Sequence, residues 1–397
     1  MRSQQPDGLG ADAGWVARAA FVLLKINRFL MNKDSDRQLI QVVPRMTPAR
    51  CGVSDHAIAL ASELRSRCGI DSAFVVLNSD ERCDVPFQVT YCAQHRLLDT
   101  CVSLTGGRPG NLLVHLSGYG YSPDGAPALV ADALDRVRAD GRFRIAVFFH
   151  ELYASGPPWT SAFWYARRQK RAYRRIAQVC DLAVTNARVF ADWLERQTAS
   201  PIECMPVFSQ VGEARDRLSF AERDRTVLVF GLAGTRRRVY RELTMPSDVL
   251  ERLGVEEILD IGPDCDAPRA VNGIRVRSMG VLAAAEIDRL FTRAAFGYLA
   301  YPPNCLAKSG AFAAYSAHGV VPMIAEAFRG EFDGLKDGEQ VLSRETAKGM
   351  DPAALERCSL AAWRWYAGHS LRHHAAIYDR WLPPSGAAAK SIEQKNG

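Results

Sequence analysis

Residues 38–65, QLIQVVPRMTPARCGVSDHAIALASELR, carry the pattern on which the fold assignment depends. The apolar run at 39–44 predicts a buried strand, and the loop after it contains Pro48 and Gly52. From His56 onward, apolar residues recur at helical spacing, which predicts an amphipathic helix. A buried strand followed by such a helix is half of a βαβ unit and indicates a parallel sheet.

The alternation of strands and helices runs through the chain in two stretches. In the first, further strands are predicted at 72–77, 111–116, 144–150, 182–186 and 202–208, with helices at 127–140, 159–180 and 188–197. In the second, strands are predicted at 226–234, 256–262, 295–301 and 320–326, with helices near 245–253 and at 283–294. This pattern predicts an α/β protein with two Rossmann-like domains whose parallel sheets face each other across a cleft.

The same pattern predicts the domain boundaries. They are an N-terminal extension at 1–37, a first domain at 38–209, a polar linker at 210–225, a second domain at 226–350 and a helical region at 351–397. The helical region is rich in aromatic residues, so it is expected to pack against a domain, with a crossing back to the first domain as one possibility.

Composition excludes several classes of protein. The chain has 397 residues, of which 48% are hydrophobic and 24% charged, so two domains with sizeable cores are expected. The net charge of +6 comes without a basic tail or an RNA-binding motif, which argues against nucleic acid as a partner. Ten cysteines lack CxxC pairs and metal-ligand spacing, so we expect reduced thiols in a cytoplasmic protein.

The N-terminal segment at 15–30 is apolar but too short and too charged to span a bilayer. It lacks the cleavage site of a signal peptide. An amphipathic helix at a membrane surface and an irregular extension both remain open.

Five segments, in the same order, resemble group 1 glycosyltransferases of family GT4, which have the GT-B fold. They lie at 51–64 (CGVSDHAIALASEL), 149–154 (FHELYA), 182–194 (LAVTNARVFADWL), 229–238 (VFGLAGTRRR) and 280–325, which includes CLAKSGAFAAYSAHGVVPMIA. The sequence departs from the family in two places. No Asp or Glu lies between Arg293 and Ala325, where the family carries an E-x7-E motif, and Gly231-Leu232 stands where Gly-Arg is usual. The chain therefore resembles a divergent relative.

The resemblance implies that a nucleotide-sugar is the donor substrate and that its diphosphate must be stabilised as it leaves. Arg236 and Arg237, with Arg238 beside them, follow a glycine-rich turn and are predicted to contact the diphosphate, although a solvated surface cluster would also explain them.

Two glycine-containing turns are further candidates for donor binding. Lys308, Ser309 and Gly310 precede an apolar helix, where a cation and free amides suit a phosphate. A helix cap by Ser309 is the compatible alternative. Gly52 and Val53 are expected to let backbone amides approach the sugar or the diphosphate, unless the glycine only completes a tight turn.

His150 and Glu151 are the predicted catalytic residues because they follow the strand at 144–150, at its carboxyl end. By resemblance, His150 would contact the transferred sugar. Glu151 is the nearest acid for an acceptor hydroxyl, although a salt bridge would also account for it.

The implied reaction is a transfer to a glycan, a lipid-linked glycan or another hydroxyl acceptor, with retention at the anomeric carbon. No metal and no cofactor are expected, because arginine and lysine side chains would take the place of the divalent cation that other glycosyltransferases use. The alternative is a non-catalytic GT-B protein that binds nucleotide-sugars. A nicotinamide-dependent oxidoreductase is disfavoured because no strand is followed by GxGxxG.

The basic stretch from Arg167 to Arg175 predicts either peripheral contact with an anionic membrane or a solvated helix face.

Overall fold

The computed structural model describes residues 37–46, 51–79, 81–154, 156–245 and 247–383. The segment at 15–30, for which a surface helix was one of two hypotheses, lies outside these residues.

The N-terminal domain contains a seven-stranded sheet in the order β3-β2-β1-β4-β5-β6-β7, and all neighbouring strands are parallel. Its strands are β1 (Gln38–Val43), β2 (Asp71–Val76), β3 (Gln88–Tyr91), β4 (Gly110–Leu116), β5 (Phe143–Phe149), β6 (Leu182–Thr185) and β7 (Ile202–Cys204). The strand order reverses between β1 and β4, and ligands of open α/β sheets bind at the carboxyl ends of the strands at such a point.

Helices cover both faces of this sheet. They are α1 (Gly52–Cys68), α2 (Leu97–Thr105), α3 (Gly118–Tyr121), α4 (Ala128–Asp140), α5 (Ser161–Val179) and α6 (Arg188–Leu194), with a 3-10 turn at Gln94–Arg96. Successive strand residues enter different apolar clusters, as Leu39 and Ile40 do in β1. Both faces are therefore buried, which explains why the strands read as continuous apolar runs.

The C-terminal domain has a second seven-stranded sheet in the order β10-β11-β9-β8-β12-β13-β14. Among the described strand pairs of this sheet, only β10–β11 is antiparallel. The strands are β8 (Asp224–Phe230), β9 (Glu257–Ile261), β10 (Ala270–Val271), β11 (Ile274–Gly280), β12 (Ala294–Leu299), β13 (Val321–Ile324) and β14 (Leu342–Ser343). Here the order reverses between β8 and β12, so the second domain offers its own ligand crevice.

The helices of this domain are α7 (Ala233–Leu243), α8 (Val249–Arg252), α9 (Ala284–Arg293), α10 (Gly310–Ala317) and α11 (Arg344–Ala347), and 3-10 turns lie at Phe220–Glu222 and Pro303–Lys308. The helix predicted near 245–253 is present as the short α8, but the longer helix α7 was not predicted. Arg236, Val239, Tyr240 and Leu243 form its buried face. Arg236 occupies a buried position of α7 and interrupts its apolar repeat, so the sequence pattern did not indicate this helix.

The C-terminal region forms two helices, α12 (Pro352–Ala367) and α13 (Leu371–Trp381). The Asp351 side chain accepts a hydrogen bond from Ala354 N and caps α12. Helix α13 packs against the N-terminal domain, where His374 Nε2 lies 2.8 Å from Pro206 O and Arg37 Nη2 lies 2.6 Å from Asp379 Oδ1. The chain thus returns to its first domain after completing the second.

None of the helices within the described parts of the chain is long and apolar enough to cross a membrane. The ten cysteines are all free thiols.

Candidate active site between the two domains

A cavity of about 590 Å³ lies between the two domains. It opens at the carboxyl ends of β8 and β9 and reaches the first turn of α1. The described residues that line it are Cys51, Gly52, Asp55, Ile58, Ala59, Gln210, Val211, Phe230, Gly231, Leu232, Thr235, Ile261, Gly262, Pro263, Val281, Leu282, Ala284, Ile287, Tyr301, Ser309, Gly310 and Ala311. Both domains and the segment that joins them therefore contribute to its wall.

Two helices of opposite domains begin at this cavity with a glycine. Gly52 is the first residue of α1, and Gly310 is the first residue of α10. Gln210 lies between them, and a Cβ built on either glycine would be 3.9 Å from Gln210 Oε1. The Gln210 amide also donates to Gly52 O over 2.9 Å. The first turn of a helix presents backbone N–H groups without partners in the helix, so this arrangement suits an anion held between the domains.

A third helix, α7, begins beside the same cavity. Gly231 and Gly262, at the ends of β8 and β9, both have positive φ angles of 130° and 141°. A Cβ on Gly262 would come within 2.3 Å of Gly231 O, so only glycine allows the two strand ends to lie this close. No side chain caps the first turn of α7, whose N-cap is Leu232. Each helix N-terminus carries roughly half a positive charge.

The positive charge in the cavity comes from backbone amides, because no cationic side chain is among its described lining residues. Among the described lining residues, Asp55 is the only one with a charged side chain. The guanidinium of Arg236 is fully buried in an ion pair with Asp260, and its Nε donates to Gly231 O over 2.9 Å. Arg236 therefore binds the ends of β8 and β9 and does not line the cavity. This corrects the prediction that Arg236 contacts the diphosphate. Its helical neighbours Arg237 and Arg238 are exposed and do not line the cavity.

The three residues at 308–310 separate into different roles. Ser309 is buried and caps α10 by accepting a hydrogen bond from Phe312 N over 3.2 Å, and it also lines the cavity with Gly310. Lys308 does not line the cavity. Its Nζ lies 5.6 Å from the centre of the Phe190 ring on α6, which is a cation–π contact between the domains. Val53, in the first turn of α1, is half-buried and does not line the cavity.

His150 and Glu151 lie directly after β5, on the side of the N-terminal sheet that faces the second domain. Glu151 Oε1 accepts a hydrogen bond from Ser117 Oγ over 2.8 Å. Burial raises the pKa of Tyr301, and the Cys305 thiol of the same domain raises it further. The Arg238 guanidinium lowers this pKa, and the Glu151 carboxylate of the N-terminal domain raises it. Glu151 therefore lies near Tyr301, which lines the cavity, whereas neither His150 nor Glu151 is among the lining residues.

A cluster of histidines lies behind His150. Burial, together with the nearby His115 and His374 rings, lowers the pKa of His150 well below its ordinary range, so the ring is neutral at pH 7. Nitrogens of His56, His115 and His150 all lie within 4.8 Å of one another. Tetrahedral Zn²⁺ needs ligand nitrogens about 3.4 Å apart, so the more widely separated nitrogens of these histidines would have to move closer together to bind a metal. The expectation that no metal is needed stays a prediction.

The basic stretch lies on the exposed face of α5, and its arginines differ in their partners. Arg175 contacts Asp132 over 2.7 Å and also pairs with Asp135, so it is not available to a membrane. Arg167 and Arg171 are exposed and form no ion pair with a described residue. At the N-terminal end of the helix, Trp164 is 70% exposed.

Sequence reasoning missed four residues of this region. Gln210 had been assigned to the linker, and Tyr301 to the end of a strand, where its position next to a carboxyl-terminal strand edge was the available signal. Gln41 and His115 lie inside strands, and a polar residue within an apolar run was the signal for both.

No protein-family model matches the sequence, and the comparison with curated proteins found no match. Solved structures do resemble it. An α-glucosyltransferase in complex with UDP and a 13-mer DNA has a TM-score of 0.54 and 9% identity, over 87% of this chain and 98% of that one. A glycosyltransferase from Rickettsia africae has a TM-score of 0.53 and 10% identity, over 88% and 99%. The pneumococcal O-GlcNAc transferase GtfA in complex with UDP and GlcNAc has a TM-score of 0.52 and 9% identity, over 87% and 98%.

These similarities extend over nearly the whole length of each neighbour, so both domains and their pairing are shared. Two doubly wound sheets face a common cavity through the carboxyl ends of their strands. The fold of this chain is GT-B.

Proposed function

We propose that the protein is a glycosyltransferase that moves a sugar from a nucleotide-sugar to a hydroxyl acceptor. The observation that carries the proposal is the interdomain cavity of about 590 Å³, on which the N-termini of α1, α7 and α10 converge. A diphosphate fits this site because aligned backbone amides and helix dipoles stabilise phosphate oxygens without a full cation.

The nucleoside is expected on the C-terminal side of the cavity. Its wall there is apolar, with Ile261, Pro263, Val281, Leu282 and Ile287. An apolar wall with a few convergent polar groups is typical of sites for planar ligands. The structural neighbours with bound UDP support a nucleoside diphosphate as the leaving group.

The transferred sugar is expected between the diphosphate and His150. The neutral imidazole of His150 can accept a hydrogen bond from a sugar hydroxyl, which would orient the anomeric carbon toward the acceptor. Glu151, which directly follows His150, is the carboxylate proposed to accept the proton of the acceptor hydroxyl. The helix amides would stabilise the charge that develops on the departing diphosphate. Retention of configuration and descent from GT4 enzymes rest on the sequence resemblance alone, and independence of metal stays a prediction.

A thermal-shift screen against UDP-, GDP-, ADP- and TDP-sugars tests the proposal, because a ligand that binds only the native state raises its apparent stability. At about 100 times its Kd, the correct donor adds roughly 2.7 kcal/mol. Release of nucleoside diphosphate with a glycan or lipid-linked acceptor must then fall in His150→Ala. Donor binding without turnover would favour the non-catalytic alternative, and the absence of any nucleotide binding would contradict both.

We also propose that the end of α5 contacts an anionic membrane, where a lipid-linked acceptor would be presented. Trp159 is 84% and Trp164 70% exposed, next to the exposed Arg167 and Arg171. Exposed tryptophans beside cations suit a lipid headgroup region, where each cation contributes about 1 kcal/mol. Gln169 on the same helix accepts a hydrogen bond from Ala154 N over 2.7 Å, which ties α5 to the loop that follows Glu151.

Vesicle sedimentation tests this surface. The protein should bind phosphatidylglycerol vesicles, and the variant with both Trp164→Ser and Arg167→Glu should lose most of that binding. Arg241→Glu, on the exposed side of α7, is the matched control for the charge change. Equal binding by both variants would contradict the assignment, and so would binding to duplex DNA but not to vesicles.

A further inference from the structure

A chain of buried polar side chains crosses the apolar interior of the N-terminal sheet. It runs from Ser72 on β2 through Gln41 on β1 and His115 on β4 to His150 after β5, and these four strands are neighbours in the sheet. Ser72, Gln41 and His115 are fully buried. Polar groups in such surroundings cost free energy unless they are hydrogen-bonded, and each member here is bonded to the next.

The donors in this chain can be assigned one after another. Gln41 Nε2 donates to Ser72 Oγ over 2.9 Å, which turns Gln41 Oε1 toward His115. Gln41 Oε1 lies 2.8 Å from His115 Nε2, and an amide oxygen can only accept, so Nε2 of His115 carries the proton. His115 is neutral because burial lowers its pKa to about 3. Its Nδ1 must therefore accept from His150 Nε2, 3.2 Å away.

This assignment of protons determines the state of the second ring nitrogen of His150. Because Nε2 carries the proton, Nδ1 of the neutral ring is unprotonated. No described residue forms a hydrogen bond with this nitrogen, and it is not among the buried unpartnered atoms. It is therefore accessible as an acceptor at the carboxyl end of β5.

We propose that Gln41 and His115 are positioning residues that fix the tautomer of His150, so that its Nδ1 faces the sugar site as a hydrogen-bond acceptor. The proposal rests on the proposed function for the role of the sugar, but the tautomer itself is a property of the free protein. Packing supports it, since the rings of Phe148 and His56 lie 4.4 Å and 4.9 Å from the ring of His150 and restrict its rotation.

The tautomer can be read directly by ¹H–¹⁵N NMR at pH 7 on protein labelled with ¹⁵N-histidine. We expect an unprotonated Nδ1 and a protonated Nε2 for His150, whose signals are identified by their loss in His150→Ala. His115→Leu removes the acceptor and should convert His150 to the other tautomer or to a mixture. His115→Asn is the conservative control, because its Oδ1 can replace Nδ1 as the acceptor and should keep the parent tautomer.

Kinetics provide the second readout. His115→Leu should lower kcat roughly 10- to 100-fold, because a misplaced catalytic group costs about that much, while the donor KM stays within about threefold. His115→Asn should recover most of the kcat. A protonated Nδ1 on His150 in the parent, or an unchanged tautomer in His115→Leu, would overturn the proposal. A parent protein with the expected tautomer but no transferase activity would instead count against the proposed function.

Discussion

Gly310→Ala should make the protein slightly more stable and at the same time a much poorer binder of its donor. Gly310 is the first residue of α10, and its φ is not positive. The added Cβ would meet only Gln210 Oε1, at 3.9 Å, which is an ordinary contact. The folded protein can therefore accept the methyl group, and the less flexible unfolded chain should raise stability by up to about 1 kcal/mol.

The loss of affinity follows from the same methyl group. It would project into the cavity between the first turns of α1 and α10, where the diphosphate is proposed to lie. Displacing the ligand from the amides there should remove at least one hydrogen bond to a charged group, worth about 1.5–3 kcal/mol. At about 1.4 kcal/mol for each factor of ten, affinity should fall roughly 10- to 150-fold.

Titration calorimetry with the nucleoside diphosphate, together with thermal unfolding of the free protein, measures both effects. Gly52→Ala, on the opposite helix, should behave in the same way. Gly349→Ala is the matched control, because Gly349 is exposed, lies far from the cavity lining, and a Cβ there would approach Thr346 O only to 4.0 Å. Unchanged affinity in Gly310→Ala would refute the placement of the diphosphate, and a lower unfolding temperature would refute the argument that the folded protein accepts the methyl group.

Three further predictions concern stability. Arg236→Met should lower the free energy of unfolding by about 3–5 kcal/mol in urea titrations, because Asp260 would be left buried without its cation; a cost under about 1 kcal/mol would show that the pair is dispensable. Gly297→Ala should cost at least 1–3 kcal/mol by the same assay, roughly the cost of overpacking a core, since a Cβ would come 2.5 Å from the Tyr315 ring. Buried His374, whose pKa is lowered to about 4, stays neutral in the native state while the unfolded chain gains a proton below about pH 6.5. Stability should therefore fall as pH drops from about 6.5 to 4, by up to about 1.4 kcal/mol per pH unit for each such histidine, and a flat profile would contradict the burial.

The parallel sheets could be predicted because their signal is local. The run at 39–44 became β1, and the run at 144–150 became β5, with shifts of one residue at their ends. The short edge strands β3 and β10 could not be predicted, because a few partly exposed residues leave no apolar run. Helix α7 was not predicted because Arg236 occupies a buried position at which a hydrophobic residue is expected.

The candidate site divides in the same way. Gly52 and Gly310 were candidates from the sequence because each lies in a turn at the start of a predicted helix, and both line the cavity. The sequence could not show that Lys308 contacts the Phe190 ring or that Arg236 forms an ion pair with Asp260, because both contacts depend on partners that are distant in the sequence.

By itself, the sequence determined the alternation of strands and helices, the presence of two α/β domains and the turns at which ligands can approach the backbone. Those features follow from periodicity and from residues that restrict or free the backbone over a few positions. Only the tertiary structure decided that helix N-termini rather than arginines face the cavity, and that four adjacent strands connect Ser72 to His150. Burial and hydrogen bonding depend on what lies across space, and an arginine in a pattern looks the same whether it meets a phosphate or an aspartate.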